Sequence, residues 1–176
     1  MKIFYAARNG YSGSAAAYSL LEYAFRSEHG GALPEIKKTP NGKPYFPERP
    51  EIHFSLSHAG THVLCAVSGK PVGADIESPR LVSERATRFF STPEELRLFH
   101  PLDLWVLKES YIKLTGGTLV LMKEIRFSRA GDRIIPPDST TVSRLYTLGD
   151  CRAAVSGTDE PPPDSIELIK LPTVNF

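Results

Sequence analysis

Only two of the 176 residues are cysteine, Cys65 and Cys151, and both lie inside apolar, strand-like runs. Two thiols in such settings do not make a disulfide framework, and buried free thiols in a reducing compartment are expected. No stretch approaches the roughly 18 consecutive apolar residues of a membrane span, so no membrane partner is expected. The chain also lacks a charge excess. Its 21 Lys and Arg against 20 Asp and Glu leave a formal net charge of +1, too little for a bulk field that recruits nucleic acid or an acidic bilayer. Any anion must be bound by local clusters. The opening run from Met1 to Ala7 is short and is closed by Arg8, which does not fit a signal peptide, and a cytoplasmic protein is the expectation. With 41% apolar residues, the chain can bury the core of one domain, or of two small lobes that share one.

The patterning alternates between strand and helix periods. Lys2 to Ala7 reads as a strand, and Ser14 is the expected cap of a helix ended by Gly30-Gly31. Leu33 to Pro50 reads as an irregular basic loop. Ile52–Ser57, His62–Ser68 and Val72–Glu77 read as a three-stranded antiparallel meander. Beyond Ser78-Pro79 the period becomes helical: Leu81–Phe90, a start at Thr92-Pro93, and Leu102–Leu114 closed by Gly116-Gly117. Strands return at Ile125–Phe127, Arg133–Ile135, Val142–Leu148, Cys151–Val155 and Ile166–Leu171. The expected fold class is α+β. Two similar helix-plus-antiparallel-sheet lobes, 1–77 and 78–176, would stand in a pseudo-twofold arrangement with the site between them.

The chemistry centres on Val72-Gly73-Ala74-Asp75-Ile76-Glu77. Period-two alternation points Asp75 and Glu77 the same way, about 7 Å apart at strand rise. Two carboxylates at that spacing repel unless a cation lies between them, and a hard divalent metal such as Mg²⁺ suits oxygen donors of this kind. On the helix to come, Trp105, Lys108, Glu109, Ile112 and Lys113 follow i, i+3, i+4, i+7, i+8 spacing and share a face. That face is too apolar for open water and too charged for a dry core, which fits a cleft wall. Glu109 opposite Asp75 and Glu77 would complete a three-carboxylate metal site, leaving Lys113 free to meet a phosphate. Ser57-His58 invites a hydrolase reading, but neighbours on a strand point apart and no nucleophile-elbow glycines flank the serine. A hydroxyl and an imidazole at a strand end can instead bind phosphate oxygens, as can Lys43 on its flexible stem.

The stretches Gly42-Lys43-Pro44, Phe54-Ser55-Leu56-Ser57-His58-Ala59-Gly60, Val72–Glu77, Arg88-Phe89-Phe90-Ser91 and Trp105-Val106-Leu107-Lys108-Glu109-Ser110-Tyr111-Ile112-Lys113 stand in a fixed order. Together they resemble the 4′-phosphopantetheinyl transferases of the surfactin-synthetase-activating type. The resemblance implies Mg²⁺-dependent transfer of phosphopantetheine from coenzyme A to a serine hydroxyl of an apo acyl or peptidyl carrier protein, releasing 3′,5′-ADP. It implies Asp75, Glu77 and Glu109 as metal ligands (Mn²⁺ being possible in place of Mg²⁺), and Glu109 as the base toward the carrier serine. Lys113 would hold the pyrophosphate, with Lys108 and Trp105 shaping that wall, and Lys43, Ser57 and His58 would lie around the coenzyme A phosphates. A monomer is expected, and Leu98, Phe99 and Leu119 are candidates to meet the carrier. The first lobe departs from the family, because Gly13-Ser14-Ala15-Ala16-Ala17-Tyr18 lacks the basic residues that grip the 3′-phosphate. Arg8, Lys37 or Lys38 could substitute, or that phosphate is held more loosely, which leaves open a protein that binds coenzyme A or carrier with little catalysis.

Overall fold

The computed structural model describes residues 1–173. Strand β1 (Lys2–Ala7) leads into helix α1 (Gly13–His29), which buries Ala16, Ala17, Leu20, Leu21, Ala24 and Phe25 along one face. Ser12 caps this helix, not Ser14: its hydroxyl accepts the Ala15 N–H, leaving Ser14 inside the first turn. The basic stretch that follows contains a small ribbon, β2 (Lys37–Lys38) with β3 (Pro44–Tyr45), in place of a wholly irregular loop. β4 (His53–Ala59) and β5 (His62–Ser68) form a hairpin, and β1 pairs antiparallel with β5.

β6 (Val72–Glu77) does not continue that meander. It pairs antiparallel with β10 (Cys151–Thr158), which pairs in turn with β9 (Thr141–Leu148). The last strand, β11 (Glu167–Ile169), returns to lie parallel to β1, so the two main sheets run β11-β1-β5-β4 and β6-β10-β9. The sheets therefore do not divide at residue 77, because β6 and β11 each cross over. The reason lies in burial. All of β6 except Glu77 is buried, glycine and aspartate included, and a strand covered on both faces needs a partner on each side. Along its outer edge β6 meets β4 without a backbone ladder. Serine hydroxyls take the place of carbonyls: Ala74 N–H donates to Ser55 Oγ (2.9 Å) and Ile76 N–H to Ser57 Oγ (3.3 Å).

Across β6 lies α4 (Pro101–Thr115), which ends on Gly116 in the left-handed conformation at φ 70°. α4 approaches so closely that a Cβ on Gly73 would stand 1.9 Å from the Ser110 carbonyl oxygen and 2.3 Å from the Leu114 nitrogen. Before α4 come α2 (Glu84–Phe90) and α3 (Pro93–Leu98); the latter opens with a reciprocal capping box between Thr92 and Glu95. After it come a 3₁₀ turn (Leu119–Lys123) and the hairpin of β7 (Ser128–Ala130) and β8 (Arg133–Ile135), so the strand expected at Ile125–Phe127 begins at Ser128.

Lys108, expected on a cleft wall, is instead wholly enclosed. Its ammonium donates to Glu95 (3.0 Å), to the carbonyls of Ile125 (2.7 Å) and Met122 (3.4 Å), and to the Phe90 carbonyl. Glu95 accepts as well from the Phe127 and Thr92 N–H groups, so one buried ion pair ties α3, α4 and the start of the hairpin together. Breaking such a pair leaves an uncompensated charge in the core. Lys108→Met is expected to lower stability by about 3–5 kcal/mol in urea melts. Gly73→Ala must push backbone apart and is expected to cost on the order of 3 kcal/mol. Gly69→Ala, where nothing lies within 4 Å of the added methyl, should stay within about 0.5 kcal/mol of the parent.

Candidate active site

The seam between β4, β6 and α4 gathers Ser57, Asp75 and Lys113. Asp75 is 5% exposed, and its Oδ1 accepts from Ser57 Oγ (2.8 Å) and Lys113 Nζ (2.7 Å). Lys113 also donates to Ser57 Oγ at 3.1 Å, which closes a three-membered ring of polar contacts. The i, i+4 relation on α4 would let Lys113 pair with Glu109, but the ammonium reaches across to β6 instead. Burial pushes the Asp75 carboxyl above the ordinary range, against the opposing pull of Lys113 and Ser57. Its second oxygen, Oδ2, is buried and has no protein partner. A buried carboxylate oxygen without a donor is costly unless something cationic or protic meets it.

Glu109 and Glu77 lie in the field of Asp75. Burial raises the Glu109 carboxyl from 4.5 to about 7; the charges of Asp75 and Glu77 add to the rise and Lys113 opposes it. Glu77 sits at the open end of β6, and Arg80 grips both its oxygens, from Nη2 (3.0 Å) and Nε (3.2 Å). The same guanidinium lies 5.2 Å from the centre of the Trp105 ring, whose edge meets Phe90. Sequence reasoning missed Arg80, although its position three residues after Glu77, behind Pro79, was a usable signal. Among the described residues, no group of three or more His, Cys, Asp or Glu side chains is drawn close enough to hold a metal ion by itself. The three acidic residues are neighbours in charge rather than a preformed cage, and among their oxygens Oδ2 of Asp75 is the one fully buried without a partner.

Lys43 and Lys113 line a cavity of about 260 Å³ with Asn41, Gly42, Phe54, Ser55, Ile112 and Gly117. Lys43 Nζ donates to the Leu114 carbonyl (2.7 Å) and the Val72 carbonyl (3.4 Å), and Asn41 donates to the Gly116 carbonyl (2.9 Å). This loop thereby satisfies the last carbonyls of α4. Burial lowers the Lys43 ammonium to about 8. Ser57 and His58 point apart as strand neighbours must, and the serine hydroxyl is committed to Asp75 and Lys113, so no Ser-His nucleophile is formed. His58 is exposed and its ring packs over Gly13 at the start of α1. Of the candidate substitutes in the first lobe, Arg8 is spent on the Tyr11 and Gly60 carbonyls, and Lys37 pairs with Glu35 at 3.6 Å. Leu98 and Leu119 are exposed, whereas Phe99 is 4% exposed and belongs to the core.

No protein-family model matches the chain. Over 90 residues, 46% of its length, it is 43% identical to a 4′-phosphopantetheinyl transferase of Bacillus subtilis, and the match takes in 40% of that relative. The 4′-phosphopantetheinyl transferase Sfp of Bacillus subtilis strain 168 is 41% identical over the same extent, and the psf-1 transferase of Bacillus pumilus is 43% identical over 89 residues. An uncharacterized protein of Escherichia coli K12, YieE, is 29% identical over 139 residues, which is 77% of this chain and 53% of that relative. The chain thus spans less than half the length of the transferases it matches. Within that matched part, the chain is similar to 4′-phosphopantetheinyl transferases of the Sfp type.

Proposed function

We propose that the protein transfers the phosphopantetheine group of coenzyme A to a serine hydroxyl of an apo acyl or peptidyl carrier protein, releasing 3′,5′-ADP. The observation that carries this reading is the Ser57–Asp75–Lys113 cluster, with Asp75 Oδ2 unpartnered beside a Glu109 whose carboxyl is raised to about 7. Asp75, Glu77 and Glu109 would hold a Mg²⁺ or Mn²⁺, and the orphaned Oδ2 is the donor that fits such a hard cation best. When bound, the metal would supply charge neutralisation at the phosphate oxygens.

The chain's own residues divide the remaining work. Lys113 is held by Asp75 and Ser57 and is still 30% exposed at its side chain, so it can present its charge to a phosphate at the cavity rim. Lys43 lines the same cavity, and an anion beside it would favour its charged form against the burial that lowers it to about 8. Glu109 would take the proton of the incoming serine, a role suited to a carboxylate poised near neutral pH. Trp105 shapes the wall through Arg80 and Glu77. Lys108 takes no part, because its ammonium is used up in the core. We infer two lobes, α1 against the first sheet and α4 against the second, with coenzyme A between them. The buried free thiols Cys65 and Cys151 fit a reducing, cytoplasmic setting, and no described helix is long and apolar enough to cross a membrane.

The decisive assay is intact-mass spectrometry of a panel of apo carrier proteins incubated with this protein, coenzyme A and Mg²⁺. A gain of one phosphopantetheine that EDTA abolishes is expected. Binding of coenzyme A with no gain on any carrier would leave a binding protein. Asp75→Asn and Glu109→Gln are each expected to slow transfer by about 100-fold or more while leaving the fold intact by circular dichroism.

A pH test follows from Glu109. Its carboxyl titrates at 4.5 in the ordinary state and at about 7 when folded, so between these values the folded chain retains a proton that the unfolded chain has lost. Without divalent cation, this group makes stability fall as pH rises from about 4.5 to about 7, and Glu109→Gln should remove that part of the fall in urea midpoints. Adding Mg²⁺ at pH 7.5 should raise the midpoint of the parent and not that of the variant.

A further inference from the structure

A second cavity, of about 400 Å³, lies against β9 and the β7–β8 hairpin and shares no residue with the cavity between Lys43 and Lys113. Three arginines line it, Arg129, Arg133 and Arg144, over apolar surface from Ile134, Pro136, Val142 and Leu145. This volume falls within the range of small-molecule sites, and convergent charged groups on an apolar floor are the usual make-up of such sites.

One of the arginines is left unsatisfied in the interior, and the other two are open to a new partner. Arg129 stands over the Phe99 ring at 4.7 Å, and its Nε is buried with no hydrogen-bond partner. A guanidinium cannot shed its proton to escape this cost, so a desolvated N–H on it calls for an acceptor. Arg133 enters no ion pair among the described residues. Arg144 pairs with Asp164, whose side chain is 90% exposed, so that partner is a carboxylate on a surface loop that an incoming anion can replace. Asp132 is the one acidic residue of the lining, next to Arg133 in the exposed turn of the hairpin.

We propose that this cavity binds a small molecule carrying two or more negative oxyanion charges next to an apolar portion. Planar guanidinium forks match phosphate and carboxylate oxygens alike, so the shared chemistry is the clustered oxyanion. Arg129 receives it, Arg133 adds its charge from the end of the hairpin, Arg144 exchanges Asp164 for it, and Val142 with Leu145 lie along its apolar side. The proposal is independent of the transferase reading, because none of its residues belongs to that site.

The test is titration calorimetry of the full chain at low salt with pyrophosphate and, separately, citrate, which distinguish a phosphate from a carboxylate preference. Saturable binding of at least one is expected. Arg133→Met and Arg144→Met should each weaken it by tenfold or more, and Lys70→Met, outside both cavities, should change it by less than twofold. Asp164→Asn should tighten it severalfold by freeing Arg144, an effect of opposite sign that loss of structure would not produce. Arg129→Met should abolish binding; if that variant unfolds through loss of its Phe99 contact, the two exposed-side variants decide. Absence of saturable binding, indifference to Arg133→Met and Arg144→Met, or an equal loss with Lys70→Met would overturn the proposal.

Discussion

β6 lies between two neighbours, and the helix can reach it only because residue 73 carries no side chain. On one side the backbone of α4 comes within 1.9 Å of where a Cβ would stand. On the other, β4 comes close enough for two serine hydroxyls to take the outward N–H groups that a further strand would have used. This arrangement covers the edge of the second sheet without a backbone ladder, one of the ways a sheet edge is protected. It also brings Ser57, Asp75 and Lys113 from three separate elements into hydrogen-bond contact. The polar cluster is a by-product of tight packing, and its geometry depends on that packing being held.

Two lysines of α4 have opposite fates, and helix geometry explains why. Positions 108 and 113 mark the margins of the stripe that begins at Trp105, and at 3.6 residues per turn they stand about 140° apart around the axis. One margin meets α3 and the loops around Phe90 and Ile125, where Glu95 and three carbonyls satisfy an ammonium without water. The other meets β6, where Asp75 takes one end of the charge and solvent reaches the rest. A buried ion pair of the first kind adds little net stability over apolar packing yet is costly to break, so its effect is to fix how α3 and α4 dock. The second kind keeps a charge available at a cavity.

The match to the transferases covers less than half the chain, yet the polar cluster draws on β4, β6 and α4, the segments whose motifs carry the resemblance. The contrast between the two cavities is informative. At the first, every cation has a structural partner as well as an exposed face; at the second, a guanidinium nitrogen is desolvated with none. A fold that satisfies Lys108 four times over leaves Arg129 unsatisfied, and that difference separates a structural cation from one awaiting a ligand.

Local patterning was enough to read most of the elements. Period-two alternation located β1, β5 and β6 to the residue, and Thr92-Pro93 and Gly116 bracketed the helices between them, because turns, caps and periodicity are properties of neighbouring residues. It also singled out Asp75, Glu77, Glu109 and Lys113 by residue type and spacing. What it could not supply was which strand pairs with which. β6 reads like the third strand of a hairpin meander, and only the burial of both its faces sends it to β10. Nor could it assign the two sides of one helical stripe, since Lys108 and Lys113 look equivalent until α3 covers one and β6 the other. Alternation and spacing are local and written in the chain; strand partners and the dielectric around a charge are set by residues far away in sequence, and so only the tertiary structure decided them.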